Sequence, residues 1–182
     1  MSMNLTNKTN YQTYFTVLKG DLLVASHLPL PPEAMAELAT DLPPASIFAT
    51  TVIQGNTYTS ASQSFVGAAG FLAQVKQVMP QGTLEFDMIH VPYSNPNQLQ
   101  FQKTCVGPVI FSIQQNDQVV QNVVVTDDFI PSTLNISDTY TIYAVINGVT
   151  TDAVQTNNPQ ATISAVVDTG ALESGYFLLV VS

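Results

Sequence analysis

The chain has 182 residues, of which 46% are apolar and only 9% are charged, and its formal net charge is −9. This length suits one domain with a sizeable core. The four basic residues are all lysines, too few to bind nucleic acid or anionic lipid through phosphates, and no apolar run is long enough for a transmembrane helix. Thr, Gln, Asn and Ser replace the missing charges, so the exposed faces are predicted to be neutral.

The cellular compartment is left open by the sequence. The first ten residues, MSMNLTNKTN, lack the apolar stretch of a signal peptide, and Cys105 is the only cysteine, so it has no partner for an internal disulfide. Glycosylation sequons begin at Asn4, Asn7 and Asn135, a number close to chance in a chain rich in Asn, Ser and Thr. We expect an intracellular or particle-associated protein, or a secreted one from which a leader was removed.

The first elements are predicted to be a hairpin and a helix. Residues 12–19 alternate in polarity and residues 22–26 return after the turn Gly20-Asp21, which is typical of paired strands. Residues 28–32 contain three prolines and cannot lie inside a sheet. Residues 32–40 begin with proline and have acidic residues in the first turns, a pattern that predicts a short helix capping one end of the β structure. A polyproline ligand is the alternative for this segment.

The next strands are predicted from apolar runs and turn residues. Residues 47–54 are apolar at nearly every position, which indicates a strand covered on both faces, and residues 57–64 form an exposed edge strand or a loop. Residues 71–78 and 83–93 flank a turn at residues 79–82 and predict a hairpin. A helix over residues 71–78 also fits their spacing.

The stretch from residue 108 to residue 151 organises the predicted fold. Its runs of β-branched and aromatic residues alternate with short polar turns, and Asn147-Gly148 is the best hairpin signal in the chain. A last strand pair covers residues 161–167 and 176–181. The sequence therefore predicts an all-β fold, an antiparallel two-sheet β-sandwich of jelly-roll-like type with one short helical insertion, in a single domain over residues 1–182. It shows no internal repeat.

Glu85 and Asp87 are the candidate metal ligands. They stand two apart on a predicted strand, so both carboxylates project from one face. Such a pair could bind a calcium ion or act as the acid and base of a glycosidase, and the plain alternative is a solvated strand face. His90 belongs to the opposite face. No other cofactor is expected.

Catalytic motifs are absent from the sequence. His27, His90 and Cys105 do not have the spacing of zinc ligands, and Cys105 is expected to be buried and inert. Asp127-Asp128 lacks the further donors of a calcium loop. Nothing matches G-x-S-x-G or S-x-x-K, and the chain contains no arginine. We therefore expect that the protein is not an enzyme.

Tyrosines among Asn, Gln and Thr are the residues best suited to recognition. A tyrosine ring offers a flat apolar face and a hydroxyl, and neighbouring amides offer paired donors and acceptors. The candidate ligand-binding residues are Tyr58, Tyr93, Asn95 and Asn97.

The leading hypothesis is a structural or interaction protein that binds itself or another protein through neutral strand faces. Charged residues, lysine above all, are the usual guards against association between sheets, and they are scarce here. A carbohydrate-binding, lectin-like module is the alternative, with a glycan as partner, and a secreted toxin or effector is a third. Nucleic acid is not an expected partner.

Overall fold

A computed structural model describes residues 1–41, 44–79, 82–93, 95–170 and 175–182. These residues form eighteen strands and no helix, so the predicted all-β class is confirmed. Parts of three predicted features lie outside the described residues. They are residue 42 at the end of the predicted helix, residues 80 and 81 in the turn at 79–82, and residues 171–174 in the loop before the last strand. The strands are β1 (Ser2–Asn7), β2 (Thr13–Lys19), β3 (Leu22–Leu30), β4 (Met35–Ala39), β5 (Ala45–Ile53), β6 (Asn56–Thr59), β7 (Gln63–Phe65), β8 (Ala69–Val78), β9 (Thr83–Val91), β10 (Gln98–Lys103), β11 (Val109–Gln115), β12 (Gln118–Val125), β13 (Ser132–Asn135), β14 (Tyr140–Ile146), β15 (Val149–Thr150), β16 (Val154–Thr156), β17 (Thr162–Val167) and β18 (Phe177–Val181).

The chain divides into two compact units, which are described separately. Unit 1 comprises Met1–Leu42 and Ser137–Ser182, and unit 2 comprises Pro43–Ile136. Unit 1 is therefore built from two segments that the whole of unit 2 separates in the sequence. The expected single domain over residues 1–182 stays a prediction.

Unit 1 contains two sheets that share one apolar core. Their strand orders are β18-β17-β1-β4 and β15-β14-β2-β3, with β16 also paired to β14. Among the strands described for this unit, all pairs are antiparallel except β1 with β17. In the central strands β1 and β14, alternate residues face inward and are buried. The core cluster draws on both sheets and includes Met3, Leu5, Phe15, Val17, Ile142, Ala144, Ile163 and Ala165.

Unit 2 also contains two sheets. Their orders are β13-β10-β8-β9 and β12-β11-β5-β6, with β7 also paired to β5, and the only parallel pair among the described strands of this unit is β8 with β10. Aromatic rings join the two sheets. The Phe101 and Phe111 centroids are 5.2 Å apart, and those of Phe65 and Phe71 are 5.4 Å apart.

The two units have the same strand topology when unit 1 is followed from β14 to β18 and then from β1 to β4. In this order β14 to β18 correspond to β5 to β9, and β1 to β4 correspond to β10 to β13, with every strand pair reproduced, including the parallel one. Unit 2 is thus a circular permutation of unit 1. The absence of a repeat in the sequence does not extend to the fold.

Hydrogen bonds at equivalent positions support this correspondence. Ala144 N donates to Thr151 Oγ1 at 3.1 Å while Thr151 N donates to Ala144 O at 2.9 Å. In unit 2, Ala49 N donates to Ser60 Oγ and Ser60 N donates to Ala49 O, both at 2.9 Å. Residues after β1 and β10 also match, since Lys8 N donates to Ala165 O and Thr104 N to Ala73 O.

The predicted helix at residues 32–40 is wrong. Residues 35–39 form the edge strand β4, which pairs with β1 in antiparallel register. Main-chain pairing and the packing of Ala36 and Leu38 against the core outweigh a helical preference that a segment this short cannot sustain alone. Glu33 has a φ of 58°, so the chain turns into the strand there and does not start a helix.

Several predicted hairpins are confirmed. β2 pairs with β3, β8 with β9, and β14 with β15, where Asn147 and Gly148 both have positive φ as a type I′ turn requires. Residues 71–78 are therefore a strand and not the alternative helix. The strand β5 is correct, but its burial alternates along the chain, so it is not covered on both faces.

Candidate functional site

The predicted acidic pair, Glu85 and Asp87, does project from one face of β9, because Phe86 and Met88 between and after them are buried. Lys76 on the neighbouring strand β8 donates to Asp87 Oδ2 at 2.6 Å. Within the described residues no three His, Cys, Asp or Glu side chains come together in a group that could hold a metal ion. A calcium ion at this pair would therefore have to compete with a lysine, and the calcium site stays a prediction.

The predicted ligand residues are divided between the two sheets of unit 2. Tyr58 lies in β6, whereas Tyr93, Asn95 and Asn97 lie in the connection from β9 to β10. In that connection Tyr93 Oη donates to Gln98 Oε1 at 2.5 Å, and Asn97 N donates to Asn95 Oδ1 at 3.1 Å. These polar groups already bind one another, so the fold does not present them as one open set.

The other candidate side chains also lie apart. His27 is in the edge strand β3 of unit 1, where its Nδ1 is 3.1 Å from Ser26 Oγ. His90 is in β9 of unit 2, and its ring centroid lies 4.9 Å from that of Phe71 with the two planes tilted by 45°. Cys105 is buried, as predicted, and burial raises the pKa of its thiol.

An ion pair in unit 2 between a buried lysine and an exposed aspartate was not predicted. The Lys103 side chain is 1% exposed, and its Nζ donates to Cys105 O at 3.2 Å and to Asp128 Oδ1. Lys103 occupies the position in β10 that Asn7 occupies in β1, where the Asn7 side chain is also fully buried and hydrogen-bonded. Both side chains satisfy carbonyl groups of the connections around them, so their role is structural.

The feature that stands out is the sheet of β5, β6, β7, β11 and β12, which we call the neutral sheet. All five strands lie within the described residues, and none of them contains Asp, Glu, Lys, Arg or His. The other sheet of unit 2 carries Lys76, Glu85 and Asp87 on one face. Among the described strands, the neutral sheet is the only sheet without a charged residue, and the two sheets of unit 1 come next with one each, Glu37 and Lys19.

The outward face of the neutral sheet is a mixture of apolar and hydroxyl or amide side chains. Ile110 pairs with Val124 on one side and with Thr50 on the other. Ile110 is 39% exposed and Val124 is 54% exposed. In the next row Ser112 Oγ donates to Asn122 Oδ1 at 2.8 Å. A small depression of about 250 Å³ on this face is lined by Thr50, Thr51, Val52, Pro108 and Ile110.

The strand β12 is the edge of the neutral sheet, and it lacks most of the usual protection of an edge. It contains neither a charged residue nor a proline, and it has one register shift, between Ile113 and Gln114 of its partner β11. The equivalent edge strand of unit 1, β3, contains Pro29 and has two register shifts. An edge strand without charges or proline is a place at which a further strand can add to a sheet.

The equivalent sheet of unit 1 has a related outward face. Tyr14, Thr16 and Leu18 of β2 pair with Val145, Tyr143 and Thr141 of β14, and all six side chains are uncharged. In the described strands of this sheet, Lys19 is the only charged residue and His27 is the only histidine. Sequence reasoning found the deficit of charge but not its location. The sequence does contain a signal for the neutral sheet in residues 109–125, where only Asp117, in a turn, is charged.

Comparisons with known families, with curated proteins and with solved structures gave no match to this chain. Among the described residues there is no helix that could span a membrane.

Proposed function

We propose that this protein is a non-enzymatic structural subunit that associates with further copies of itself through the neutral sheet. The observation that carries the proposal is a five-stranded sheet without a charged residue, ending in the exposed edge strand β12. Charged side chains on faces and edges are the common means by which β proteins avoid association. A sheet that lacks them is suited to contact with another sheet.

The architectural part of the proposal is that each unit is a two-sheet β-sandwich of the jelly-roll-like type. The shared core cluster of unit 1 and the ring contacts between Phe101 and Phe111 in unit 2 support the packing of two sheets face to face. In such a sandwich the inner faces form the core, and the outward face of the neutral sheet is left for a partner.

A second copy is the partner that the chemistry favours. The outward rows of Ile110, Val124, Thr50 and Asn122 offer apolar contact together with uncharged donors and acceptors, which another copy of the same face can match. An acidic protein with a net charge of −9 would otherwise repel its own copies, and an uncharged face keeps that repulsion away from the contact.

The test places a charge on the neutral sheet and measures association. Val124→Lys introduces an ammonium on β12, and we expect it to weaken association at least about tenfold, which corresponds to roughly 1.4 kcal/mol. Leu84→Lys is the matched control, since Leu84 has the same exposure of 54% but lies on β9, in the other sheet of unit 2. Light scattering and sedimentation at micromolar to millimolar protein give the readout.

Two results would overturn the proposal. One is a wild-type protein that is monomeric over the whole concentration range. The other is a Val124→Lys protein that associates as strongly as the wild type and the Leu84→Lys control.

A further inference from the structure

We infer that copies of this protein can join end to end by exchanging the segment 137–182, so that β14–β18 of one copy complete unit 1 of the next. This inference rests on the proposed function, because it specifies one way in which copies associate. It starts from the circular permutation that relates the two units.

In unit 2 the two halves of the fold are consecutive. Strands β5–β9 are followed directly by β10–β13, and residues 92–97 connect them. In unit 1 the corresponding halves are β14–β18 and β1–β4, and they are joined in the chain only through unit 2. Nothing in the covalent structure therefore requires that the two halves of unit 1 come from the same copy.

Each half of unit 1 needs the other to bury its apolar face. Phe15 and Val17 of β2 lie opposite Ala144 and Ile142 of β14, and Leu5 of β1 lies beside Ile163 of β17. All six side chains are fully buried in one core cluster. A half without its complement would expose this apolar surface to water, which is unfavourable. The complement therefore comes from the same copy or from another copy.

Main-chain and polar bonds add to the contact between the halves. Seven residue pairs connect β2 with β14, and β1 runs parallel to β17 over four pairs. Tyr140 Oη donates to Thr40 O at 3.0 Å, and Asn4 N donates to Ala161 O at 3.0 Å. The closed and the exchanged forms contain the same contacts, so they differ mainly in entropy. Closure within one copy costs the entropy of loop closure and exchange costs the entropy of association, so a higher protein concentration favours the exchanged form.

A pair of cysteines across β2 and β14 tests the exchange. Leu18 and Thr141 are register partners, and antiparallel partners are close enough for a disulfide. With Cys105→Ser in the background, Leu18→Cys with Thr141→Cys should form a disulfide between copies. After oxidation at millimolar protein, the scale of the effective concentration that favours closure, we expect a ladder of covalent dimers and larger species on a non-reducing denaturing gel.

The matched control uses the equivalent pair of unit 2. Gln114 and Ser46 are register partners in β11 and β5, and Ser46 Oγ donates to Gln114 Oε1 at 3.3 Å. Because unit 2 is continuous, Ser46→Cys with Gln114→Cys should give a disulfide within one chain and a monomer band only. The two variants differ in which unit they report on and in little else.

A second variant tests the exchange without cysteines. Ser182 pairs with Thr162 at 2.8 and 3.0 Å, and Asn4 N donates to Ala161 O, so both ends lie at the same end of β17. A permuted chain in which a copy of residues 92–97 joins Ser182 to Met1, with the chain opened between residues 42 and 43, makes both units continuous. We expect this permuted chain to fold and to lose the exchange-dependent oligomers.

The outcomes separate this inference from the proposed function. If the Leu18→Cys, Thr141→Cys protein cross-links only within a chain, or if the permuted chain associates as the wild type does, exchange is overturned and face association stands. A ladder supports exchange whether or not Val124→Lys weakens association, because the disulfide reports only on β2 and β14. A protein that is monomeric throughout overturns both.

Discussion

Asn7 shows how much one buried polar side chain can fix. Its Nδ2 donates to the carbonyl oxygens of Tyr11, Leu30 and Pro31 at 2.7 to 3.0 Å, and its Oδ1 accepts from Thr9. The side chain is fully buried. Although Asn7 begins a sequon, its amide nitrogen is engaged inside the fold, so the folded protein cannot carry a glycan there.

Replacement of Asn7 by Asp should be strongly destabilising. The new oxygen would face three carbonyl groups that had a donor, and a buried group left unpaired costs about 1 to 3 kcal/mol, more when it is charged. We expect the free energy of unfolding to fall by at least about 3 kcal/mol, measured by urea denaturation. Asn10→Asp, at an exposed position, is the control, and equal effects of the two changes would contradict the role given to Asn7.

Cys105 provides a second prediction at the residue scale. Burial raises the pKa of its thiol above the ordinary value of 9.0, so the neutral thiol is favoured in the folded protein. Its contribution to stability is complete below that ordinary value and is lost as the pH rises through the pKa of the folded state. The stability advantage of the wild type over Cys105→Ala should therefore shrink above about pH 9.

Thiol reactivity gives an independent measurement of the same residue. A disulfide reagent should modify Cys105 much more slowly in the native protein than in urea at the same pH, because the thiolate is the reactive form and burial disfavours it. Equal rates in the two conditions would show that the thiol is accessible and that its burial is not maintained in solution.

At the scale of elements, β4 shows why a helical pattern did not become a helix. Asn7 N donates to Ala34 O and Thr40 N to Met1 O, so the even-numbered residues of β4 direct their main-chain groups toward β1. The odd-numbered residues direct theirs away from it. A short segment takes the structure that its neighbour offers when that neighbour supplies both hydrogen bonds and a core.

Proline substitution distinguishes the strand from a helix. Ala36→Pro removes a donor to β1 and should destabilise the protein by about 1 to 3 kcal/mol, whereas Glu37→Pro, whose donor faces away from the sheet, should cost much less. Thermal or urea unfolding of the two variants checks the difference. In a helix both prolines would be disruptive, so similar large losses would speak against β4.

The edge strands show what decides association at this scale. Both β3 and β12 lie at the edge of equivalent sheets, yet only β3 contains a proline. The prediction for Val124→Lys depends on this contrast, because the added charge would give β12 the protection that other edge strands have.

At the scale of the whole molecule, the two units have one topology, although their matching segments follow one another in a different order along the chain. Phe15 and Phe111, Ala144 and Ala49, and Ile142 and Ile47 occupy equivalent buried positions. A core requires apolar side chains of fitting size and tolerates many choices among them. Other equivalent positions carry different residue types, as the buried side chains of Asn7 in unit 1 and Lys103 in unit 2 show. The permutation also moves the matching segments out of order along the chain.

The sequence by itself determined the all-β class, most hairpins and the neutral character of the surface, because alternation, turn residues and composition are local properties. The tertiary structure alone decided that residues 35–39 are a strand, that β5, β6, β7, β11 and β12 form one sheet without a charged residue, and that residues 1–42 and 137–182 complete one unit. These outcomes depend on which strands pair across long separations in the chain, and no local pattern records that choice.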